Sequence, residues 1–175
     1  MPIEQSKNPV ASTRLEAAAR DLLDAAPLCA IATVTLDGDA YINTAYFASS
    51  PELHLVWLSD PDATHSRNIR ETRTTAVAVY DSTQTWGEPD RGMQLFGAAH
   101  RAADAESSGA EALYASRFPH FEAKDLAAYA FYVFRPIRVK LFDENELGAG
   151  RFVVAAVDDS GRLTWEGTET YRSDS

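Results

Sequence analysis

Four consecutive residues, Thr64, His65, Ser66 and Arg67, stand at the head of a short helical run and suit a single anion. Hydroxyls, a cation and the unpaired N–H groups of a first helical turn are together what a phosphate needs. A hold that includes His65 would depend on pH near the ordinary histidine pKa of about 6.5. Asp60 and Asp62 lie just upstream and would repel a phosphate if they turned inward. The plainer reading of the four residues is the solvated face of an ordinary helix.

Asn43 is the one carboxamide in the strand-like run Tyr41–Phe47, an odd placement for a structural position. With Thr44 it offers hydrogen bonds to the rim of a flat ligand; an outward-facing Asn is the alternative. Gln94 sits between apolar Met93 and Leu95, either at a ligand or in solvent. Trp86 falls in the polar stretch Asp81–Arg91, where a large aromatic needs cover from a ligand, a second subunit or the core.

Other chemistries lack their parts. Cys29 is the sole cysteine and opens an apolar strand, so it reads as core and no disulfide within the chain is expected. His54, His65, His100 and His120 show neither HxxH nor HExxH spacing, which disfavours a metal site. There is no GxSxG, Walker or GxGxxG motif. Acidic residues outnumber basic ones 26 to 16, a net charge of −10, which argues against a nucleic-acid partner. Apolar runs such as 127–134 fall short of a membrane span, and no basic segment followed by an apolar one opens the chain. A cytoplasmic protein without membrane association is the expectation.

The elements that position these residues are mostly strands. Residues 1–11 are polar and lack periodicity, which predicts a flexible N-terminal arm or a crossing segment. Thr13 and Glu16 have capping-box spacing, and Leu15, Ala19 and Leu22 share a face, so a helix is expected over about 13–26, stopped by Pro27. Residues 31–35 and 40–47 flank Asp37-Gly38-Asp39 as a hairpin, and 53–58 is a further strand. Asp60 as cap and Pro61 as first helical residue announce the short helix that carries Thr64–Arg67. Strands follow at 75–80 and 93–101, then a helix over 105–118 and a helical piece over 122–129. A strand over 131–142, with Pro136 marking an edge or a bulge, and another over 151–157 complete the domain. A turn and tail are expected over 158–175. Short strands with one long helical insertion predict a mainly β fold: a six- to seven-stranded antiparallel split β-barrel with peripheral helices, spanning 12–157.

This order, with three stretches in particular, resembles the pyridoxamine 5′-phosphate oxidase-like split barrels. The stretches are Tyr41–Phe47, then Val56-Trp57-Leu58-Ser59 leading into Thr64–Ile69, then Gly92–Ala99. Small uncharacterised members of the YhbP type also share Tyr114 through Arg117-Phe118-Pro119, and Phe142–Gly150. The resemblance implies a homodimer with FMN, or a deazaflavin such as F420, in a groove at the subunit interface. It places the ring beside Asn43, Thr44 and Ala45, bordered by Trp57, Leu58 and Ser59. The phosphate would lie at Thr64–Arg67, with His65 where the family usually has Lys or Arg, and Gln94 would approach the flavin of the dimer mate. The family's vitamer oxidase carries a C-terminal arginine–histidine substrate motif. Here 163–172 reads LTWEGTETYR, so synthesis of pyridoxal phosphate is not expected. A flavin-dependent oxidoreductase acting on a small molecule, a flavin or haem carrier with His65 or His120 as axial ligand, and an empty structural dimer are the three readings left open.

Overall fold

The computed structural model describes residues 3–122 and 128–171. Among these residues nine strands and four helices run in the order β1 (Ile3–Ser6), α1 (Ser12–Ala25), β2 (Leu28–Val34), β3 (Ala40–Ser49), β4 (Leu55–Ser59), α2 (Thr64–Thr72), β5 (Thr74–Tyr80), β6 (Arg91–Arg101), α3 (Asp104–Arg117), β7 (Ala130–Asp143), α4 (Glu144–Leu147), β8 (Arg151–Val157) and β9 (Leu163–Tyr171). Six of the strands close on themselves. The hydrogen-bonded ring runs β7-β4-β3-β2-β5-β6 and returns to β7, every pair antiparallel.

The long β7 makes both the closure and the split. Along one edge it pairs β6 from Tyr132 to Asp143, while on the other it pairs β4 through residues 130–134 and β8 through 138–141. Between those stretches lies Pro136, which has no N–H to give a neighbour. Opposite it the register with β6 slips between Phe96 and Gly97, leaving Ile137 as the extra residue. β8, β9 and β1 then extend the sheet outward.

Several expectations are corrected. Within the stretches expected as arm and tail, Ile3–Ser6 pairs with the end of β9, and β9 pairs with all of β8. Thr13 and Glu16 do not form a capping box: α1 has Ala11 as its N-cap without a side-chain bond, and Glu16 Oε1 accepts the Leu163 N–H at 3.1 Å. Asp60 and Pro61 form a turn ahead of α2 instead of its first residues, with Asp60 Oδ1 accepting the Asp62 N–H at 2.8 Å. Most of the helical piece expected over 122–129 lies outside the described residues.

Two apolar cores result. Leu15, Leu22, Ile31, Phe47, Trp57, Leu95 and Phe134 fill the barrel and the space beneath α1. Ala48, Val56, Phe131 and Val133 point the other way and are covered by Ala110 and Tyr114 of α3. The conspicuous Arg117 joins the two. Its Nη2 donates to the carbonyls of Leu23 (2.7 Å), Asp24 (3.2 Å) and Ala26 (2.7 Å), and the guanidinium stands 4.7 Å over the Phe47 ring. It thus satisfies the carbonyls at the end of α1 that no helical N–H reaches. Arg117→Met is expected to cost about 2 kcal/mol, the range for hydrogen bonds to a charged group, with Arg117→Lys losing less. Urea unfolding measures both.

The outer face of β3, β2, β5 and β6 carries no helix. Adjacent positions place Ile42, Ala32, Ala76 and Phe96 in one row and Thr44, Ala30, Ala78 and Gln94 in the next. Ile42 is 69% and Phe96 40% exposed. The small alanines between them make this face low and apolar.

Candidate functional site

β3 leaves the barrel partly open. It pairs β2 over residues 40–46, but pairs β4 only through Phe47, Ala48 and Ser49. The other backbone edge of 40–46 and the β3-facing edge of Leu58–Ser59 therefore have no strand partner among the described residues. The head of α2 stands where β4 ends, and its helical bonds begin with Arg67 N–H to the Ala63 carbonyl, so the N–H groups of Thr64, His65 and Ser66 have no partner within the helix.

The expected site residues divide by direction. Asn43, half-buried, lies opposite Ile31 and faces inward, and Ala45 packs against the core and accepts a weak 3.7 Å contact from Cys29 Sγ. Thr44 alternates with them and lies on the exposed outer face, in one row with Gln94. Trp57 is a wholly buried core residue stacked on Tyr132 at 6.1 Å, and its Nε1 has no hydrogen-bond partner. Leu58 turns to the apolar cluster under α3. Trp86 is fully exposed in the β5–β6 connection, beside a surface hollow lined by Gln84, Glu88, Asp90 and Glu144. That connection is at the opposite end of β5 from α2, so within one chain the structure does not bring Trp86 to Ser59 or Thr64.

Ser59, His65 and Ser66 form a buried polar knot. Ser59 Oγ and His65 Nε2 are 2.6 Å apart, and Ser66 Oγ donates to Ser59 Oγ at 3.5 Å. Burial pulls the His65 pKa below its usual range, which favours the neutral ring. His65 therefore does not supply a cation as the sequence suggested. Below it Asn68 Nδ2 donates to Thr33 Oγ1 at 3.0 Å and fastens α2 to β2. On the exposed side Arg67 folds back over the helix start, donating to the Asp62 carbonyl (2.8 Å) and Thr64 Oγ1 (3.3 Å). Asp60 and Asp62 are exposed.

Burial is also the main cause lowering His54, with Arg135 adding to it. The unfolded chain takes up protons at both histidines at a higher pH than the folded one does. Their contribution to stability is complete above about pH 6.5 and is lost as pH falls through and below it. The urea midpoint should drop between about pH 7.5 and about pH 5.5, and His65→Gln should shrink that drop. An unchanged drop in the variant would remove His65 from the explanation.

Comparison with known families matches residues 15–143 to pyridoxamine 5′-phosphate oxidase. The chain belongs to this family of split barrels. Solved structures agree on the fold. A heme binding protein from Mycobacterium smegmatis superposes with a TM-score of 0.69 at 20% identity, covering 89% of this chain and 62% of that one. The chain thus spans less than two thirds of that protein. HutZ, the heme storage protein from Vibrio cholerae, gives 0.59 at 17% identity over 70% of this chain and 90% of its own. An F420 reductase gives 0.54 at 21% identity, over 69% and 94%. At these identities the likeness is one of fold. No curated protein matches the sequence.

No helix among the described residues is long and apolar enough to cross a membrane. Nor do those residues gather three or more His, Cys, Asp or Glu side chains as a metal site would require.

Sequence reasoning passed over Arg70, Arg73, Arg101 and Tyr132, which share a cavity with Ser66 and His100. Their only sequence signal is the pair of arginines three apart near the end of α2; Arg101 and Tyr132 arrive from β6 and β7.

Proposed function

We propose that this family member binds FMN as a homodimer and works as a flavin-dependent oxidoreductase on a small organic substrate. The observation that carries the reading is the open edge of β3 beside the head of α2. That edge presents unpaired N–H and C=O groups to the polar rim of a ring, with Asn43 beside them. Thr64, Arg67 and the first-turn N–H groups supply the phosphate donors, and Arg67 is the one cation among these donors once His65 is neutral. This donor set fits a phosphate-bearing flavin. Bound there, a flavin would exchange hydride or single electrons, while the chain contributes binding, orientation and exclusion of water.

The uncovered outer face supports the dimer. A low apolar sheet face flanked by Gln94 and Thr44 suits a second copy of itself, and an isologous pair is the commonest oligomer. Such pairing would bring the partner's Gln94 and Trp86 towards the cofactor groove.

The deciding measurement is the visible spectrum of concentrated protein before and after addition of FMN and desalting. Retained flavin bands are expected. Arg67→Gln is expected to weaken FMN about 10- to 100-fold, the loss of one charge-assisted hydrogen bond. A protein that stays colourless and retains no FMN sinks the reading. F420, tested in the same way, is the deazaflavin alternative. A haem reading draws on the two haem proteins of the same fold, and its axial ligand would be His120, since Ser59 engages Nε2 of His65. A haem band on titration with hemin, without flavin retention, would establish that reading instead.

A further inference from the structure

On the side of α2 that faces β6 and β7, the structure holds a cavity of about 390 Å³. Arg70, Arg73, His100, Arg101, Ser66 and Tyr132 line it, and no carboxylate does. In a chain with 26 acidic and 16 basic residues, three guanidiniums around one hollow with no acid among them are out of keeping with the rest of the surface. Among the described residues Arg73 and Arg101 form no salt bridge. Arg70 has only its neighbour Glu71, 3.6 Å away, with both side chains largely exposed.

Two further features point inward. Tyr132, only 3% exposed, is part of the lining. Arg73 has a φ of 57°, in the left-handed region that glycine or asparagine adopts more easily. Its N–H reaches the Ile69 carbonyl, and its own carbonyl accepts from Ala99 N–H and Thr75 Oγ1. The negative end of α2 accounts for one cation at that place. It does not account for Arg101, which comes from a different element, nor for an arginine where glycine is the easier residue. His100 is held at the wall by Glu106, whose Oε2 lies 2.8 Å from Nε2 while Oε1 accepts from Arg135.

We infer that this cavity binds a small molecule bearing a phosphate or diphosphate group, at a site separate from the flavin phosphate hold on the other side of α2. The volume suits a small metabolite, and forked guanidiniums suit the several oxygens of such a group. Ser66 belongs to both neighbourhoods: it lines the cavity and bonds to Ser59, the partner of His65. A ligand here would therefore be felt at the head of α2.

The test uses the full chain without added flavin, titrated with pyrophosphate by calorimetry at low ionic strength, with sodium chloride at matched ionic strength as reference. Saturable binding of one pyrophosphate per chain is expected, weakened about tenfold or more by Arg101→Gln and by Arg73→Gly. Glycine suits the backbone at 73, so Arg73→Gly should keep or raise the melting temperature while affinity falls, which separates ligand loss from misfolding. Arg162→Gln, in the turn between β8 and β9, should bind as the parent does. Absence of saturable binding, or binding undiminished in both cavity variants, overturns the inference. So does competition by FMN for the same site, which would make it the flavin's own phosphate subsite. FMN retention is read separately by absorbance, so failure of the flavin reading leaves this result standing.

Discussion

Ala32→Glu is expected to turn the dimer into a monomer and to abolish FMN retention in the same step. Ala32 lies at the centre of the uncovered face, between Ile42 and Ala76, with Phe96 beyond. In an isolated chain a glutamate there would reach water and change stability little. At an isologous interface each subunit would instead bury an unpaired carboxylate against its copy, so the penalty counts twice. A rise in the dimer dissociation constant of about a thousandfold or more follows. Sedimentation velocity reads the mass, and absorbance after desalting reads the flavin. A variant that remains dimeric would place the interface elsewhere, and a monomer that keeps its FMN would detach the cofactor from the interface.

The second large effect concerns the barrel seam. Gly97→Ala is expected to cost about 3 kcal/mol or more, at the upper end of what forced overpacking does. A Cβ at that position would meet backbone, not a side chain that can swing aside: Pro136 Cα and the Arg135 carbonyl carbon lie 2.9 Å away, and the Arg135 oxygen is closer still. These atoms belong to the register slip at which β7 leaves β4 for β8, so neither strand can retreat without undoing the closure. Ala98→Ser, on the adjacent exposed position, is expected to be nearly neutral. Chemical denaturation of the pair compares the two. A mild Gly97→Ala would mean that the seam can slide.

Much of this arrangement is legible in the sequence because it rests on local signals. The hairpin around Gly38, the helix before Pro27, the helix before Pro119 and the strand 151–157 each have their own periodicity and punctuation. The family motifs fall on β3, on the end of β4 and on the head of α2. What the sequence hides is set by distant partners. β9 carries Thr164, Glu166 and Glu169 among few large apolar residues, and becomes a strand because β8 offers it a full ladder. Glu16 has the spacing of a helix cap, but Leu163, far along the chain, offers a better donor. His65 looks like a cation beside Arg67, and only the burial of one helical face shows that the two residues part company. Trp57 looks like a ring contact, whereas strand alternation sends it into the core.

The pairing of β1 with β9 puts Ile3 directly across from Tyr171. Tension transmitted along the chain through these two residues would pull across the ladder and open it one residue pair at a time, an unzipping that needs far less force than shearing whole strands. The Ile3–Tyr171 pair would part first, then Glu4–Thr170, while the closed ring carries no load until β1 has peeled from β9. Mechanically, the added sheet is a fuse in series with the barrel, and stretching would release it before the groove proposed to hold the flavin is disturbed.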